Sequence, residues 1–395
     1  MRRWLLLAIP WLLLAFVLIY KAPQWSDLVI GDFKVYYVAG QSVLGGTDIY
    51  GLDSTTSLST TLRFTYPPFY ALIMVLFALL APGVAACIFL TLNVIALAAT
   101  AYLVARELPA LAQRTLWWSS RELTALILAM SVMTAPVLTG FDDGQIGLIL
   151  LLLIVADFLW LRKRRGVLVG LATGIKVTPA LFIVMFAAAR KWGEFLCATA
   201  IFAATVVIGW LLLPTASREY WTSLLFDSNR VGDVSQPENT SLLGVLLRLA
   251  PEHARVVWVI AAICIVIFSL YHAARWYPLY PPMSMLLAAF AGLLISPISW
   301  GHHWVWLVVA IPMLIAVSIR IARWPAIFTA LAAVFLFVVT LFIAGGNDLR
   351  AASYSIAGIA VLLVIAAARR FYPVTSSSIA PSGATSTEEP AGSSV

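Results

Sequence analysis

The stretch RKRRGVLVGLATGIKVTPALFIVMFAAARK, residues 162–191, has a basic cluster at each end, and Lys176 is the one charge in the 24 residues between them. A membrane-spanning helix needs roughly 20 apolar residues, so a single span here places the two clusters on opposite sides of a membrane. Basic residues concentrate in cytoplasmic loops. We therefore predict a hairpin of two short helices, residues 166–175 and 179–189, with Lys176 at its tip.

The composition of the whole chain is that of a membrane protein. Of its 395 residues, 62% are hydrophobic and 11% are charged, whereas a soluble domain carries about 25% charged residues. We predict an all-α polytopic protein with about 11–12 membrane-embedded helices, two of them short or re-entrant. The net charge of +7 is scattered between apolar runs, which favours a positive-inside topology and no nucleic-acid partner.

A second short element brings the other basic clusters to the same side. We expect residues 66–80 to dip into the outer leaflet without crossing, entered through Tyr66 and two prolines. Residues 1–20 are interpreted as an uncleaved first helix, so both termini are cytoplasmic. Broken helices are tolerated where they line a cavity, and these short elements predict a cavity that opens on the outer side.

The domain prediction follows from this topology. Residues 1–372 form one membrane-embedded domain, with a first external loop at 21–65 and a second large one at 214–252. Residues 373–395 are rich in Ser, Pro, Gly and Thr, which predicts a disordered cytoplasmic tail.

Asp32 lies in GDFKVYY, residues 31–37, just beyond the first predicted helix. Two interpretations are open. Aspartate is favoured as the N-cap of a helix, here over residues 33–44. A carboxylate at the membrane surface also serves as a general base.

Asp142, Asp143 and Gln145 form a short polar segment between two apolar runs. The segment is either a polar turn or a pair of carboxylates that face the same cavity as Asp32. We predict no metal and no cofactor, because no zinc spacing or phosphate-binding glycine loop is present. A cation held by Asp32 with one of the two neighbouring aspartates is the alternative.

Lys176, His302 and His303 are the candidate phosphate ligands. A charge inside a membrane element is costly and marks a functional site; at the hairpin tip Lys176 either binds a phosphate or snorkels to the headgroups. The histidine pair is either interfacial or binds an anion or proton. Adjacent residues of an α-helix diverge by about 100°, so we expect at most one of the two rings to face the site.

Six segments of the chain, in this order, resemble a known family. They are GDFKVYYVAGQSVLGGTDIY (31–50), FTYPPFYALI (64–73), GQIGLILLLL (144–153), GLATGIKVTPALF (170–182), ENTSLLGVLLR (238–248) and SPISWGHHWVW (296–306). Together they resemble the actinobacterial polyprenol-phosphate-mannose-dependent α-(1→2)-mannosyltransferases of glycosyltransferase family 87, in the GT-C superfamily.

The resemblance implies a GT-C-type fold with an outward-facing cavity in the plasma membrane and an acidic base in the first external loop, which is Asp32 here. It implies mannose transfer, with inversion, from polyprenyl-phosphate mannose to the 2-hydroxyl of a mannosyl glycolipid of the phosphatidylinositol mannoside or lipomannan type. Lys176, His302 and His303 then stabilise the leaving phosphate. Substrate-binding residues are expected at Asp142, Asp143, Gln145, Tyr66, Asn239 and Arg248.

Two alternatives to this function remain at the level of the sequence. One is a lipid-phosphate-dependent transferase of another sugar, arabinose or glucose. The other is a lipid or sugar transporter, although the inverted repeats typical of transporters are not evident. In addition, Asn239-Thr240-Ser241 fits the weak N-glycosylation pattern.

Overall fold

The computed structural model describes residues 31–51, 54–55, 61–227, 230–321 and 348–372, together with residues 329, 331 and 335. The predicted first helix (1–20) and the predicted tail (373–395) lie outside the described residues.

The described part is almost entirely helical, which confirms the predicted all-α class. In chain order its elements are α1 (Gly31–Gly45), β1 (Ser54–Thr55), β2 (Thr61–Leu62), α2 (Pro68–Ala78), α3 (Pro82–Ala112), α4 (Ser120–Val132), α5 (Ala135–Asp142), α6 (Gly147–Leu159), α7 (Val167–Ile175), α8 (Ala180–Ala188), α9 (Trp192–Leu212), α10 (Pro214–Thr222), α11 (Leu242–Leu249), α12 (Ala254–Trp276), α13 (Pro281–Ile295), α14 (Leu307–Ile321) and α15 (Asp348–Ala368). The strands β1 and β2 form one short antiparallel pair. A 3₁₀ turn, Gly301–Trp306, precedes α14.

Within the described ranges, five helices are long and apolar enough to cross a membrane. They are α3, α9, α12, Gly301–Ile321 and Ala352–Phe371, and the pair α4 and α5, bent by 70°, is a sixth candidate. The chain is therefore a multi-pass membrane protein. Most of Gly301–Ile321 is buried inside the protein, whereas little of α9 and α12 is, so these two helices present apolar faces to lipid.

The two elements predicted to be short are short helices. At a rise of 1.5 Å per residue, α2 is about 16 Å long and α7 and α8 are each about 14 Å, less than the roughly 30 Å of the hydrocarbon core. The side of the membrane on which they lie stays a prediction.

Three glycines on one face of the hairpin helix α7 allow it to lie directly against α9. Gly166, Gly170 and Gly174 recur every four residues, the small-residue spacing of closely packed membrane helices. A Cβ on Gly170 lies 2.5 Å from the carbonyl oxygen of Ala198, which is backbone and cannot rotate away. Because this face has no side chains, α7 packs closely on α9. This packing determines the position of α7 and of the hairpin tip at its end.

The start of α7 is held by a buried carboxylate. Asp157 on α6 accepts hydrogen bonds from the backbone N–H of Gly166 at 2.9 Å and of Val169 at 2.9 Å. It therefore satisfies two of the unpaired N–H groups at the helix N-terminus. Together with the glycine face, this cap determines where Lys176 emerges.

Substituting Gly170 by alanine is expected to lower the stability of the protein by about 1–3 kcal/mol, because the added methyl group forces α7 and α9 apart. The measurement is the melting temperature in detergent. Gly193→Ala is the matched control, since a Cβ there meets nothing within 4 Å. Equal melting temperatures for the two variants would argue against close packing of α7 on α9.

The first helix of the described part is anchored by aromatic rings. Tyr36 on α1 contacts Tyr66 and Tyr70, with ring centroids 5.1 Å apart in both pairs. Phe33 lies 5.0 Å from the ring of Phe89 on α3. This cluster holds the first turn of α1, which carries Asp32, against α2 and α3.

Candidate active site

A cavity of about 1110 Å³ lies among the first turn of α1, the hairpin tip, the segment before α6, the loop after α10 and the 3₁₀ turn. Pockets for one small molecule are roughly 300–1,000 Å³, so this cavity has room for a donor sugar and an acceptor sugar. Its lining includes seven predicted site residues, which are Asp32, Tyr66, Asp143, Gln145, Lys176, His302 and His303.

The Asp32 side chain points to the cavity and does not cap its helix. The backbone carbonyl of Asp143 accepts hydrogen bonds from the N–H groups of Asp32 at 3.0 Å and Phe33 at 3.3 Å. The Asp32 carboxylate instead accepts a hydrogen bond from Gln145 Nε2 through one oxygen, Oδ2. The other oxygen, Oδ1, is available to accept a proton.

Burial raises the pKa of the Asp32 carboxyl from 3.8 to about 6, and the nearby Asp143 carboxylate acts in the same direction. His302, Lys176 and the hydrogen bond from Gln145 act against this rise. A general base works best when its pKa is close to the working pH. The environment of Asp32 thus makes it a stronger base than an exposed aspartate.

A polar network connects Asp32 to Lys176. Tyr36 donates a hydrogen bond of 3.1 Å to Gln145 Oε1, and its hydroxyl lies 2.8 Å from that of Tyr66. The Lys176 ammonium lies 5.2 Å from the centroid of the Tyr66 ring, within cation–π range. Gln145, Tyr36 and Tyr66 thus lie between the Asp32 carboxylate and the Lys176 side chain, and all of them line the same cavity.

The side-chain nitrogens of Lys176 and His303 meet at the wall of the cavity. His303 Nδ1 accepts a hydrogen bond of 3.2 Å from the backbone N–H of Trp300, so the neutral ring carries its proton on Nε2. This Nε2 lies 3.2 Å from Lys176 Nζ. Either the neutral Lys176 amine accepts a hydrogen bond from His303 Nε2–H, or an anion beside the two nitrogens accepts a hydrogen bond from each of them. Phosphate oxygens are well suited to the second arrangement.

Both histidines line the cavity, so the expectation that at most one ring faces the site is wrong. The rings of His302 and His303 meet edge to face at 4.6 Å, and the cavity is wide enough to border both. His302 Nδ1 lies 3.4 Å from Asp143 Oδ2. His302 is therefore paired with a carboxylate, whereas His303 is paired with Lys176.

Asn239 does not line the cavity, contrary to its predicted role in substrate binding. Its buried amide donates to the carbonyls of Val234 at 2.8 Å and Pro297 at 3.0 Å. Its oxygen accepts from the N–H groups of Ser241 and Ser299 at 3.1 and 2.9 Å. The amide joins the second predicted external loop to the segment that carries the histidines. Such burial also leaves no room for a glycan.

Arg248 and Asp142 are not among the residues that line the cavity either. The Arg248 guanidinium donates to the carbonyls of Gln236 at 2.7 Å and Asn239 at 3.2 Å, so it braces the loop that precedes α11. Asp142 is the last residue of α5, and its neighbour Asp143 is the one that reaches the cavity. Neither residue contacts the space where a substrate would lie.

The cavity residues that were not predicted as site residues include Tyr36, Arg230, Arg255 and Trp258. Tyr36 lies within the segment that resembles the family but carries no charge to single it out. For Arg255 a signal existed, because an arginine at the predicted outer end of an apolar helix runs against the positive-inside rule.

Comparison with known proteins agrees with the predicted resemblance. The family model described as glycosyltransferase family 87 matches residues 64–297, more than half of the chain. A polyprenol-phosphate-mannose-dependent alpha-(1-2)-phosphatidylinositol pentamannoside mannosyltransferase of Mycolicibacterium smegmatis is 34% identical over 299 residues, covering 73% of this chain and 70% of the relative.

Two further relatives are named polyprenol-phosphate-mannose-dependent alpha-(1-2)-phosphatidylinositol mannoside mannosyltransferases. The one from Mycolicibacterium smegmatis is 30% identical over 323 residues, covering 76% of this chain and 73% of the relative. The one from Mycobacterium tuberculosis is 30% identical over 298 residues, covering 71% and 69%. On this coverage, the chain belongs to glycosyltransferase family 87.

Proposed function

We propose that this chain transfers mannose from polyprenyl-phosphate mannose to the 2-hydroxyl of a mannosyl glycolipid, of the phosphatidylinositol mannoside or lipomannan type, with inversion at the anomeric carbon. The observation that carries the proposal is a buried carboxylate of raised pKa, Asp32, and a lysine–histidine pair, Lys176 and His303, on the wall of one cavity. Family membership supplies the donor and acceptor classes, because the relatives are named for them.

In the proposed reaction Asp32 removes the proton from the acceptor 2-hydroxyl as its oxygen attacks the anomeric carbon. The bond between that carbon and the phosphate oxygen breaks, and polyprenyl phosphate leaves with the added negative charge. Lys176 Nζ and His303 Nε2 donate to this charge. A β-linked donor and an α-linked product require one inversion. Asp32 and His303 lie outside the segment matched by the family model, so their roles rest on the cavity geometry.

Asp143, Gln145 and Tyr66 are proposed to orient the sugars and the base. Gln145 fixes one carboxylate oxygen of Asp32, and Tyr66 carries the ring against which Lys176 lies. Asp143 holds His302 at the edge of the same space.

We further propose that the reaction takes place on the outer face of the plasma membrane, with both termini cytoplasmic. The basic clusters support this orientation, since together they fit on one side. Residues 1–372 then form the catalytic membrane domain and residues 373–395 a cytoplasmic tail.

A donor panel tests the proposed function. Purified protein is incubated with a phosphatidylinositol mannoside and with radiolabelled polyprenyl-phosphate mannose, arabinose or glucose. We expect label in the glycolipid with the mannose donor alone, in an α-(1→2) linkage. Transfer of another sugar, or movement of donor across vesicle membranes without a covalent product, would contradict the assignment.

The pH dependence of the reaction follows from the raised pKa of Asp32. The base is active when deprotonated, so kcat/KM is expected to fall as the pH drops through about 6, by about tenfold per pH unit. An ordinary aspartate places this loss near pH 4. Rates measured from about pH 4 to pH 8 in one mixed buffer distinguish the two cases, and a profile that is flat down to the lower limit would exclude Asp32 as the titrating base.

A further inference from the structure

The first two turns of α12 lie between the cavity and an apolar surface of the protein. Arg255 and Trp258, in its first two turns, line the cavity. Large apolar side chains on the same two turns are exposed on the helix surface: Val256, Val257, Val259 and Ile260. A lipid whose chains lie along this helix therefore has its headgroup within reach of the cavity.

This part of the cavity wall carries donors that the proposed chemistry does not use. Among the described residues, Arg255 makes no hydrogen bond or ion pair, and Trp258 Nε1 is buried without a hydrogen-bond partner. Arg230 also lines the cavity; it is held by hydrogen bonds to the carbonyls of Tyr50 at 3.3 Å and Phe64 at 3.0 Å. These groups offer positive charge and N–H donors to an anion.

Carboxylates near Arg230 offset part of the positive charge of its guanidinium. Glu219 and Asp227 act on Arg230, as does the like-charged Arg63, and Asp227 shares the cavity wall. Arg230 is therefore partly neutralised. Arg63 lines the same cavity. Arg255 is the lining arginine for which the described residues supply neither a hydrogen bond nor an ion pair, so it can bind a ligand.

The ligand class follows from the number of phosphates in the reaction. Polyprenyl-phosphate mannose has one phosphate, and Lys176 with His303 already serves it. A phosphatidylinositol mannoside has a phosphodiester between its sugar headgroup and its acyl chains. An anion-binding group next to an apolar helix face matches that part of a lipid, and a tryptophan beside it is typical of a membrane–water interface.

We propose that Arg255, beside the ring of Trp258, binds the phosphodiester of the glycolipid acceptor, whose acyl chains lie along the apolar face of α12. This assignment rests on the proposed function. It explains how a membrane-bound acceptor is held by its lipid end while its mannose reaches Asp32. It also makes the chain selective for anionic glycolipids over uncharged ones.

The test compares two acceptors at saturating donor: a phosphatidylinositol mannoside and an uncharged dialkylglycerol α-mannoside. For Arg255→Gln we expect KM for the anionic acceptor to rise by about tenfold or more, as for loss of one charge-assisted hydrogen bond. The KM for the uncharged acceptor and for the donor are expected to stay within about twofold. Arg255→Lys is expected to recover most of the affinity, because it keeps the charge.

Arg218→Gln is the matched control, because Arg218 lies on α10 in the predicted external loop that precedes α12 and is exposed outside the cavity wall. Equal effects of Arg255→Gln on the two acceptors, or no effect on either, would overturn the phosphodiester subsite while leaving the transferase intact. Failure of the wild-type protein to label either acceptor would instead overturn the proposed function on which the subsite depends.

Discussion

Replacing Asp32 by asparagine is expected to lower kcat for mannose transfer by about 10²- to 10⁴-fold, the range supplied by a positioned general base. Asparagine has nearly the same shape as aspartate and keeps a partner for Gln145, so the cavity is preserved. The amide, however, cannot accept the proton of the acceptor hydroxyl. The measurement is initial-rate transfer by purified wild-type and variant protein.

Asp233→Asn is the control for the loss of one carboxylate. Asp233 lies in the second predicted external loop, where its carboxylate accepts from the N–H of Ser235 at 2.9 Å, outside the cavity lining. We expect this variant to transfer mannose at the wild-type rate. Asp32→Asn with near-wild-type turnover and the same KM values would remove Asp32 as the base.

Replacing Lys176 by alanine is expected to reduce kcat/KM for the polyprenyl-phosphate donor by about 10²- to 10³-fold, the cost of losing one donor to a developing anion. Lys176 Nζ lies 3.2 Å from His303 Nε2, and in the proposed mechanism a phosphate oxygen accepts a hydrogen bond from each of them. Rates over a range of donor concentrations give this value, and KM for the acceptor is expected to change little.

Lys163→Ala removes a lysine of similar reach at the other end of the hairpin. Lys163 is exposed in the turn between α6 and α7, away from the cavity. We expect no change in donor use. If Lys176→Ala and Lys163→Ala behave alike, the phosphate lies elsewhere and the pairing of Lys176 with His303 is structural.

The helical class and the hairpin were predictable from the sequence because they depend on local properties. The length of an apolar run and the sign of the charges at its ends are read directly from consecutive residues. The 24 residues between two basic clusters in residues 162–191 are too few for two full spans. Lys176 lies near the middle of these 24 residues and is therefore at the tip of the hairpin.

The contacts that make the site were not predictable in the same way. Gln145 donates to Asp32 from 113 positions away in the sequence, and Asn239 contacts Ser299 from 60 positions away. Composition shows that such polar groups are present, but it does not show which of them pair with each other. Asn239 and Arg248 were therefore interpreted as ligands of a substrate, whereas in the structure they form hydrogen bonds to backbone groups of the protein.

Arg255 illustrates a different limit of the sequence. An arginine at the end of an apolar helix has the same local pattern whether it snorkels to lipid headgroups or lines a cavity. The position of α12 at the cavity wall decides between these, and that position depends on residues far apart in the chain. His302 and His303 show the same limit of the sequence. Whether both of them line the cavity depends on its three-dimensional shape.

The most direct test of the central claim is an experimental structure of the Asp32→Asn protein with polyprenyl-phosphate mannose. We expect density for a phosphate oxygen within hydrogen-bond distance of both Lys176 Nζ and His303 Nε2, with the anomeric carbon facing the residue 32 side chain across a space large enough for a hydroxyl. A phosphate bound on another wall, or a mannose that has no open path to residue 32, would contradict it.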